Sequence, residues 1–183
     1  MRSLRGHLLI ATPGLPDVNF YRSVVLIVHH DKGGAVGLVL NRPTNSTVGE
    51  IWEMVSEPSC DSSAPLHLGG PVSGPLMALH TNSDCSENEV IPGVHFSTQK
   101  ENLNQIVRHP DHPFRIFSGY SGWAAGQLEG ELEVGGWLTL QATREFVFAD
   151  PENLWKQVTE VIGSEITQPL LGRIKRPTDP SQN

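Results

Sequence analysis

The 183 residues carry 13 basic and 20 acidic side chains, a formal charge of −7, with 38% hydrophobic and 18% charged residues. That length suits one domain with a sizeable core, and no apolar run approaches the ~18 residues that would span a membrane as a helix. The acidic balance argues against direct nucleic-acid binding, which needs clustered Lys and Arg to neutralise phosphates; the first basic grouping is Arg173, Lys175 and Arg176 in the tail.

Arg2 and Arg5 followed by Leu8 to Ala11 superficially evoke a signal peptide, but the apolar run is too short and Pro13 follows at once. The expectation is a cytoplasmic protein without membrane association. Cys60 and Cys85 have no CxxC spacing and read as free thiols in loop-like segments.

Leu8 to Ala11 is expected as a first strand, ended by Thr12-Pro13-Gly14, with Asp17 capping a short helical turn. Val24 to Val28 and the alternating Val36, Leu38 and Leu40 form a hairpin around Asp31-Lys32-Gly33-Gly34. Val24 to Val28 is apolar on both faces and therefore belongs inside the protein. Asn41-Arg42-Pro43 stops the return strand. Thr47 and Glu50 form a capping box before Ile51, Trp52 and Val55 at helical spacing. Ser56 to Ala64 is a loop, Leu66 to Leu68 a strand, Gly69-Gly70-Pro71-Val72 a break, Leu76 to His80 a strand, and Thr81 to Glu89 a polar loop.

Val94 to Phe96 makes another short strand, and Thr98 with Glu101 a second capping box before Leu103, Ile106 and Val107. Phe114 to Phe117 then leads, through a glycine turn, into a helix from about Ser121, with Gly122, Gly126 and Gly130 every fourth residue. Interior helical glycines cost about 1 kcal/mol each, so the ridge should receive a close neighbour: the protein's own sheet, a second subunit or a partner. Gln127, Glu129, Glu131 and Glu133 form its solvated acidic side. Gly135-Gly136 ends this helix, Trp137 to Ala142 and Phe146 to Phe148 are strands, and Asp150-Pro151 opens a last helix closed by Gly163. The whole is an α+β, or mixed α/β, pattern: one domain over residues 1–168 with a flexible tail at 169–183.

The ordered motifs Leu4 with His7-Leu8-Leu9-Ile10-Ala11-Thr12-Pro13, Phe20-Tyr21-Arg22-Ser23-Val24-Val25, Gly37-Leu38-Val39-Leu40-Asn41-Arg42-Pro43, Gly69-Gly70-Pro71-Val72, and Gly119-Tyr120-Ser121-Gly122-Trp123 with Gly126-Gln127-Leu128-Glu129 together resemble the YqgE/AlgH family of bacterial proteins. The resemblance runs from Leu4 to about Ile162. It implies a single domain whose bifurcated mixed sheet folds into a pseudo-barrel flanked by helices. Some members carry a transcriptional-regulator label, and the family offers no agreed catalytic residues. Ser121 stands where the family pattern usually has Ala.

Three chemistries suggest themselves. Ser121 lies between a predicted strand and a predicted helix, like a nucleophile elbow, but the G-x-S-x-G register is absent and a helix-capping role explains it cheaply. A cryptic hydrolase pairing Ser121 with His67, His80 or His95 is therefore the alternative rather than the leading reading. Neither a metal nor a cofactor is expected: His29 and His30 point to opposite faces of a strand, and His109, Asp111 and His112 occupy a proline-bounded loop without ligand spacing. Arg22, Asn41 and Arg42 at strand ends, with backbone N–H groups of Gly69 and Gly70, Tyr120, Ser121 at a helix start and Gln127, compose a candidate pocket for a small anionic ligand or a protein partner. The same residues read equally as internal supports of turns, which is the more economical account. A non-enzymatic binding or regulatory protein is the leading expectation.

Overall fold

The computed structural model describes residues 3–15, 17–55, 60–109 and 111–171, with side chains of the last helix followed to residue 164. The strands are β1 (His7–Ala11), β2 (Val24–Asp31), β3 (Gly34–Val39), β4 (Pro43–Thr47), β5 (Pro65–Leu68), β6 (Val72–His80), β7 (Asn88–Ile91), β8 (Val94–Ser97), β9 (Phe114–Ala124) and β10 (Trp137–Gln141). The helices are α1 (Val48–Val55), α2 (Lys100–Arg108), α3 (Gln127–Glu133), α4 (Arg144–Val147) and α5 (Pro151–Leu171), with single 3-10 turns at Val18–Phe20 and Ser83–Cys85. None of the described helices is long and apolar enough to cross a membrane.

The strands run in the order β10-β1-β2-β3-β9-β6-β8-β7 in a curled half-barrel, antiparallel except where β5 joins β9 in parallel. The expected bifurcation lies on β9. Its first half, Ile116 to Ser118, pairs with β5, and its second half, Ser121 to Ala124, pairs with β3. The switch falls at Gly119, in the left-handed region at φ 72°, where a Cβ would stand 2.8 Å from the Val72 carbonyl oxygen. Only glycine fits there without strain.

Alternation divides β1 to β3 between two cores. Leu8, Ile10, Val24, Leu26 and Leu38 face α4 and α5, which contribute Val147, Leu154, Val158 and Ile162. Leu9, Val25, Ile27 and Val39 face Phe20, Trp123, Leu128 and Trp137. Thus β2 is apolar on both faces because both are covered. A third core joins α1 and α2 to the far half of the sheet through Trp52, Leu103, Ile106, Ala78 and Ile116. Fully burying each large aliphatic side chain stabilises the fold by roughly 1.5–3 kcal/mol.

The largest departure from expectation concerns residues 121–126. Ser121 to Ala124 continue the 11-residue β9, and helix begins only at Gln127, after Gly126 in the left-handed region. A four-residue repeat places residues on one face of a helix and equally on one face of a strand, so the glycine period does not discriminate. The ladder partners of β3 decide it, and the expected ridge does not form: nothing lies within 4 Å of a Cβ placed at Gly126 or Gly130. Phe146 to Phe148, expected as a strand, instead lies in α4 and its cap, because Thr143 Oγ1 accepts from the Phe146 N–H (3.4 Å) and starts a helical turn. Pro43 to Thr47, with no strand expected, pairs with β5. The Thr81 to Glu89 stretch holds a 3-10 turn and the first residues of β7.

Capping follows expectation at Thr47 and Glu50, whose side chains and backbone exchange reciprocal bonds of 3.2 and 2.9 Å. At α2 the expected box is replaced by a distant residue. Glu87 accepts from the backbone N–H groups of Thr98 (2.8 Å) and Gln99 (2.7 Å), from Thr98 Oγ1 and from Asn102. Asp150 and Pro151 start α5 as expected, but Gly163 does not end it; the helix continues to Leu171. The tail expected from residue 169 lies otherwise outside the described residues, as does Ser56 to Ser59 of the expected loop. Cys60 and Cys85 are free and buried.

Candidate functional site

The turn between β1 and β2 is built from its caps inward. Asp17 accepts from the Asn19 N–H (2.8 Å), which starts the 3-10 turn, and Ser23 Oγ donates to the Phe20 carbonyl (2.7 Å), which closes it. Arg22 adopts φ 51°, the one positive φ outside glycine among the described residues. This left-handed conformation costs about 1–2 kcal/mol for a side chain with a Cβ. Asn41 holds it in place, donating through Nδ2 to the Arg22 carbonyl (2.9 Å) and accepting the Val24 N–H at Oδ1 (2.9 Å).

Arg42 is consumed by the same corner. Its Nη2 donates to the Tyr21 carbonyl and its Nη1 to the Asn41 carbonyl, and partial burial draws its pKa down. Arg22 differs. Its guanidinium lies 5.3 Å from the ring centroids of both Tyr21 and Trp155, on the rim of a notch of about 120 Å³ lined by Ala11, Thr12, Pro13, Tyr21, Arg22 and Trp155. Trp155 is positioned by α5 and by a 3.3 Å bond from its Nε1 to the Ala11 carbonyl.

Gly69, Gly70, Tyr120 and Ser121 meet at the β9 switch. A Cβ at Gly69 would stand 2.3 Å from the Gly119 oxygen, and one at Gly70 2.3 Å from the Tyr120 carbonyl carbon. Both glycines therefore let one backbone approach another. Gly69 donates to the Ser118 carbonyl and accepts from the Val39 N–H. Ser121 is fully buried in β9 and donates from Oγ to the Gly69 carbonyl (3.2 Å), so it neither caps a helix nor faces a substrate. Nor does it meet the expected histidines: His80 Nε2 lies 3.0 Å from Ser97 Oγ, whose own proton goes to the Cys85 carbonyl. His80 is therefore the donor of that contact, and burial holds its pKa down at about 4.

Gln127 belongs to a separate cavity. Its Oε1 accepts from the Ala124 N–H (3.1 Å), supplying the cap that Gly126 lacks, and its Nε2 donates to Glu131 Oε1 (3.0 Å). The other oxygen of Glu131 accepts from the indoles of Trp137 (2.7 Å) and Trp123 (3.0 Å). Glu129 reaches His30, whose Nε2 lies 3.1 Å from Oε1 while Nδ1 accepts from the Leu4 N–H. Thus two of the carboxylates expected to be merely solvated are structural acceptors. His29, on the opposite strand face, pairs with Asp31 at 3.1 Å. Among the described residues no three His, Cys, Asp or Glu side chains come together as a metal site.

Sequence reasoning missed Arg115. It lies buried on β9, donating from Nη1 to the Leu40 carbonyl (2.9 Å) and from Nη2 to the Ala149 carbonyl, and burial draws its pKa to about 10 despite Asp150 nearby. An isolated arginine in a strand pattern carries no signal of burial; only the β3 end and the α4–α5 junction converging on it reveal the role.

These elements define a single-domain α+β protein organised by a curled sheet that bifurcates on one long strand. The chain belongs to the AlgH-like family, whose sequence profile matches residues 8–167. It is 38% identical over 167 residues to a UPF0301 protein of Chlorobaculum tepidum, covering 87% of each chain, and 35% identical over 178 residues to one of Myxococcus xanthus, covering 94% of this chain and 98% of that one. Among solved structures it resembles the AlgH protein of Pseudomonas aeruginosa, with TM-score 0.74 and 28% identity over 97% of this chain and 100% of that one. A Corynebacterium diphtheriae protein shares the fold at TM-score 0.70 and 23% identity, with 88% of each chain covered.

Proposed function

We propose that this chain is a non-enzymatic binding or regulatory protein that recognises an anionic group, on a small ligand or a protein partner, through Arg22. One observation carries the reading: the Arg22 guanidinium lies over two rings at the rim of a notch, while no hydrogen bond or ion pair joins it to another described residue. Attraction to the two rings restrains the guanidinium and leaves its N–H donors for a phosphate or carboxylate fork. The strained backbone of Arg22 adds support, since such conformations gather at ligand clamps. Asn41 and Arg42 serve as the frame, and Gly69, Gly70, Tyr120 and Ser121 stand behind it as the sheet junction. A hydrolase built on Ser121 has no support, because its hydroxyl is buried and engaged.

The test is a titration with inorganic phosphate, a nucleotide panel and dicarboxylates, followed by two-dimensional amide and indole NMR. Shifts at Arg22 and at the Trp155 indole that vanish in Arg22→Gln are expected. Binding that survives the substitution would place recognition elsewhere. The regulator label carried by some family members is addressed with duplex DNA: a complex that persists at moderate salt would move the function to nucleic acid, against the acidic charge of the chain.

A further inference from the structure

A second cavity is lined by other residues of the β1–β2 connection and has the opposite chemistry. It encloses about 280 Å³, just below the ~300–1,000 Å³ of drug-sized sites, which suits a head group rather than a whole ligand. Phe20 and Trp123 form its aromatic wall, stacked at 6.1 Å, with Trp137 edge-on to both behind them at 5.2 and 6.0 Å. The charged residues among its described lining are Asp17 and Glu131, both acidic.

Glu131 is held unusually well for a residue with no cationic partner among the described residues. Three neutral donors fix it: two indole N–H groups on Oε2 and the Gln127 amide on Oε1. One carboxylate oxygen takes both indoles, a role that a glutamine carbonyl with two lone pairs could fill, while the other takes the Gln127 amide, a bond that Glu131→Gln would give up. Both oxygens thus have a packing role, but no cation among the described residues balances the charge. It sits, immobilised, at the N–H edges of two indoles in a concave site.

We propose that this cavity binds an alkylated ammonium group, with Phe20 and Trp123 contacting its methyl groups and Glu131 supplying the counter-charge. Aromatic faces attract such cations through the ring quadrupole, and the soft charge of an alkylated nitrogen suits a partly apolar site better than a strongly hydrated primary ammonium does. Asp17, at the exposed rim, adds long-range attraction. The source of the group is either a free quaternary amine or a methylated lysine on a peptide; the chemistry of recognition is shared.

The experiment titrates the full chain with choline, with a trimethyl-lysine peptide and with the neutral isostere of choline in which carbon replaces nitrogen, following the indole N–H resonances of Trp123 and Trp137. Saturable shifts with choline or the peptide are expected, the tighter of the two identifying the source, and the neutral isostere should bind at least about tenfold more weakly. Glu131→Gln keeps an acceptor for both indoles and gives up only the exposed bond from Gln127, so its spectrum should remain that of a folded chain while cation affinity falls by about tenfold or more. Asp17→Asn should weaken binding less and make it less sensitive to salt. Unmoved indole resonances, equal affinity for the neutral isostere, or undiminished binding in a folded Glu131→Gln variant would each overturn the assignment.

Discussion

Acid should unfold this protein in part through one histidine. His67 lies on β5 against Phe117, at 5.5 Å between rings, only 2% exposed, and neither ring nitrogen finds a hydrogen-bond partner among the described residues. Burial, and then the positive charge of Arg115, lowers its pKa from 6.5 to about 4. The unfolded chain therefore takes up a proton that the folded chain refuses, so stability is unaffected above pH 6.5 and falls as pH drops from there toward 4. With these two values the loss is about 2 kcal/mol at about pH 5 and approaches roughly 3 kcal/mol in stronger acid, as an upper figure. His67→Leu removes the titration and both unsatisfied nitrogens. Urea unfolding at about pH 7.5 should place variant and wild type within about 1.5 kcal/mol of each other, and at about pH 5 the balance should shift in favour of the variant by about 2 kcal/mol. His80 is common to both proteins and cancels. If the two midpoints fall in parallel with acid, His67 is not an acid-sensitive element of the fold.

Three further outcomes are expected. Glu87→Ala strips the external cap from α2 and should cost about 1–2 kcal/mol in urea unfolding. Burial acts to raise the Glu87 pKa but its four hydrogen bonds outweigh this and hold it low, so the gap between wild type and variant should be full at neutral pH and close as pH falls through the folded value. Arg115→Met orphans the carbonyls of Leu40 and Ala149 and should cost about 3 kcal/mol or more, read as a fall in thermal midpoint. Gly130→Ala should stabilise the chain by roughly 1 kcal/mol in the same assay, because α3 is open at that point; a loss would mean that the glycine is packed after all.

The candidate site was legible in parts, for identifiable reasons. Arg22, Asn41 and Arg42 stand out in sequence because charged and amide side chains at strand ends must find partners, and they do converge on one corner. Their division of labour was not legible: Arg42 and Asn41 turn to carbonyls and an N–H, while the Arg22 guanidinium lies over the ring of Trp155, 133 residues further along the chain. Gly69 and Gly70 were rightly marked as special backbone, but what approaches them, the β9 backbone, is a tertiary fact. Gln127 was singled out as part of an anion pocket, yet it caps α3 and steadies a carboxylate in another cavity.

Local chemistry, acting over a few residues, was enough to determine the β2–β3 hairpin, the Thr47–Glu50 capping box, the start of α5 at Asp150-Pro151 and the family to which the chain belongs, because turns, caps and short motifs are written in neighbouring side chains. The tertiary structure decided whatever depends on partners distant in sequence. It made Ser121 to Ala124 a strand by offering them the edge of β3, replaced the Thr98 cap with Glu87, buried Arg115 against two remote carbonyls and set Glu131 under two indoles. A four-residue glycine period satisfies helix and strand alike, and only the ladder of hydrogen bonds available across the sheet could choose between them.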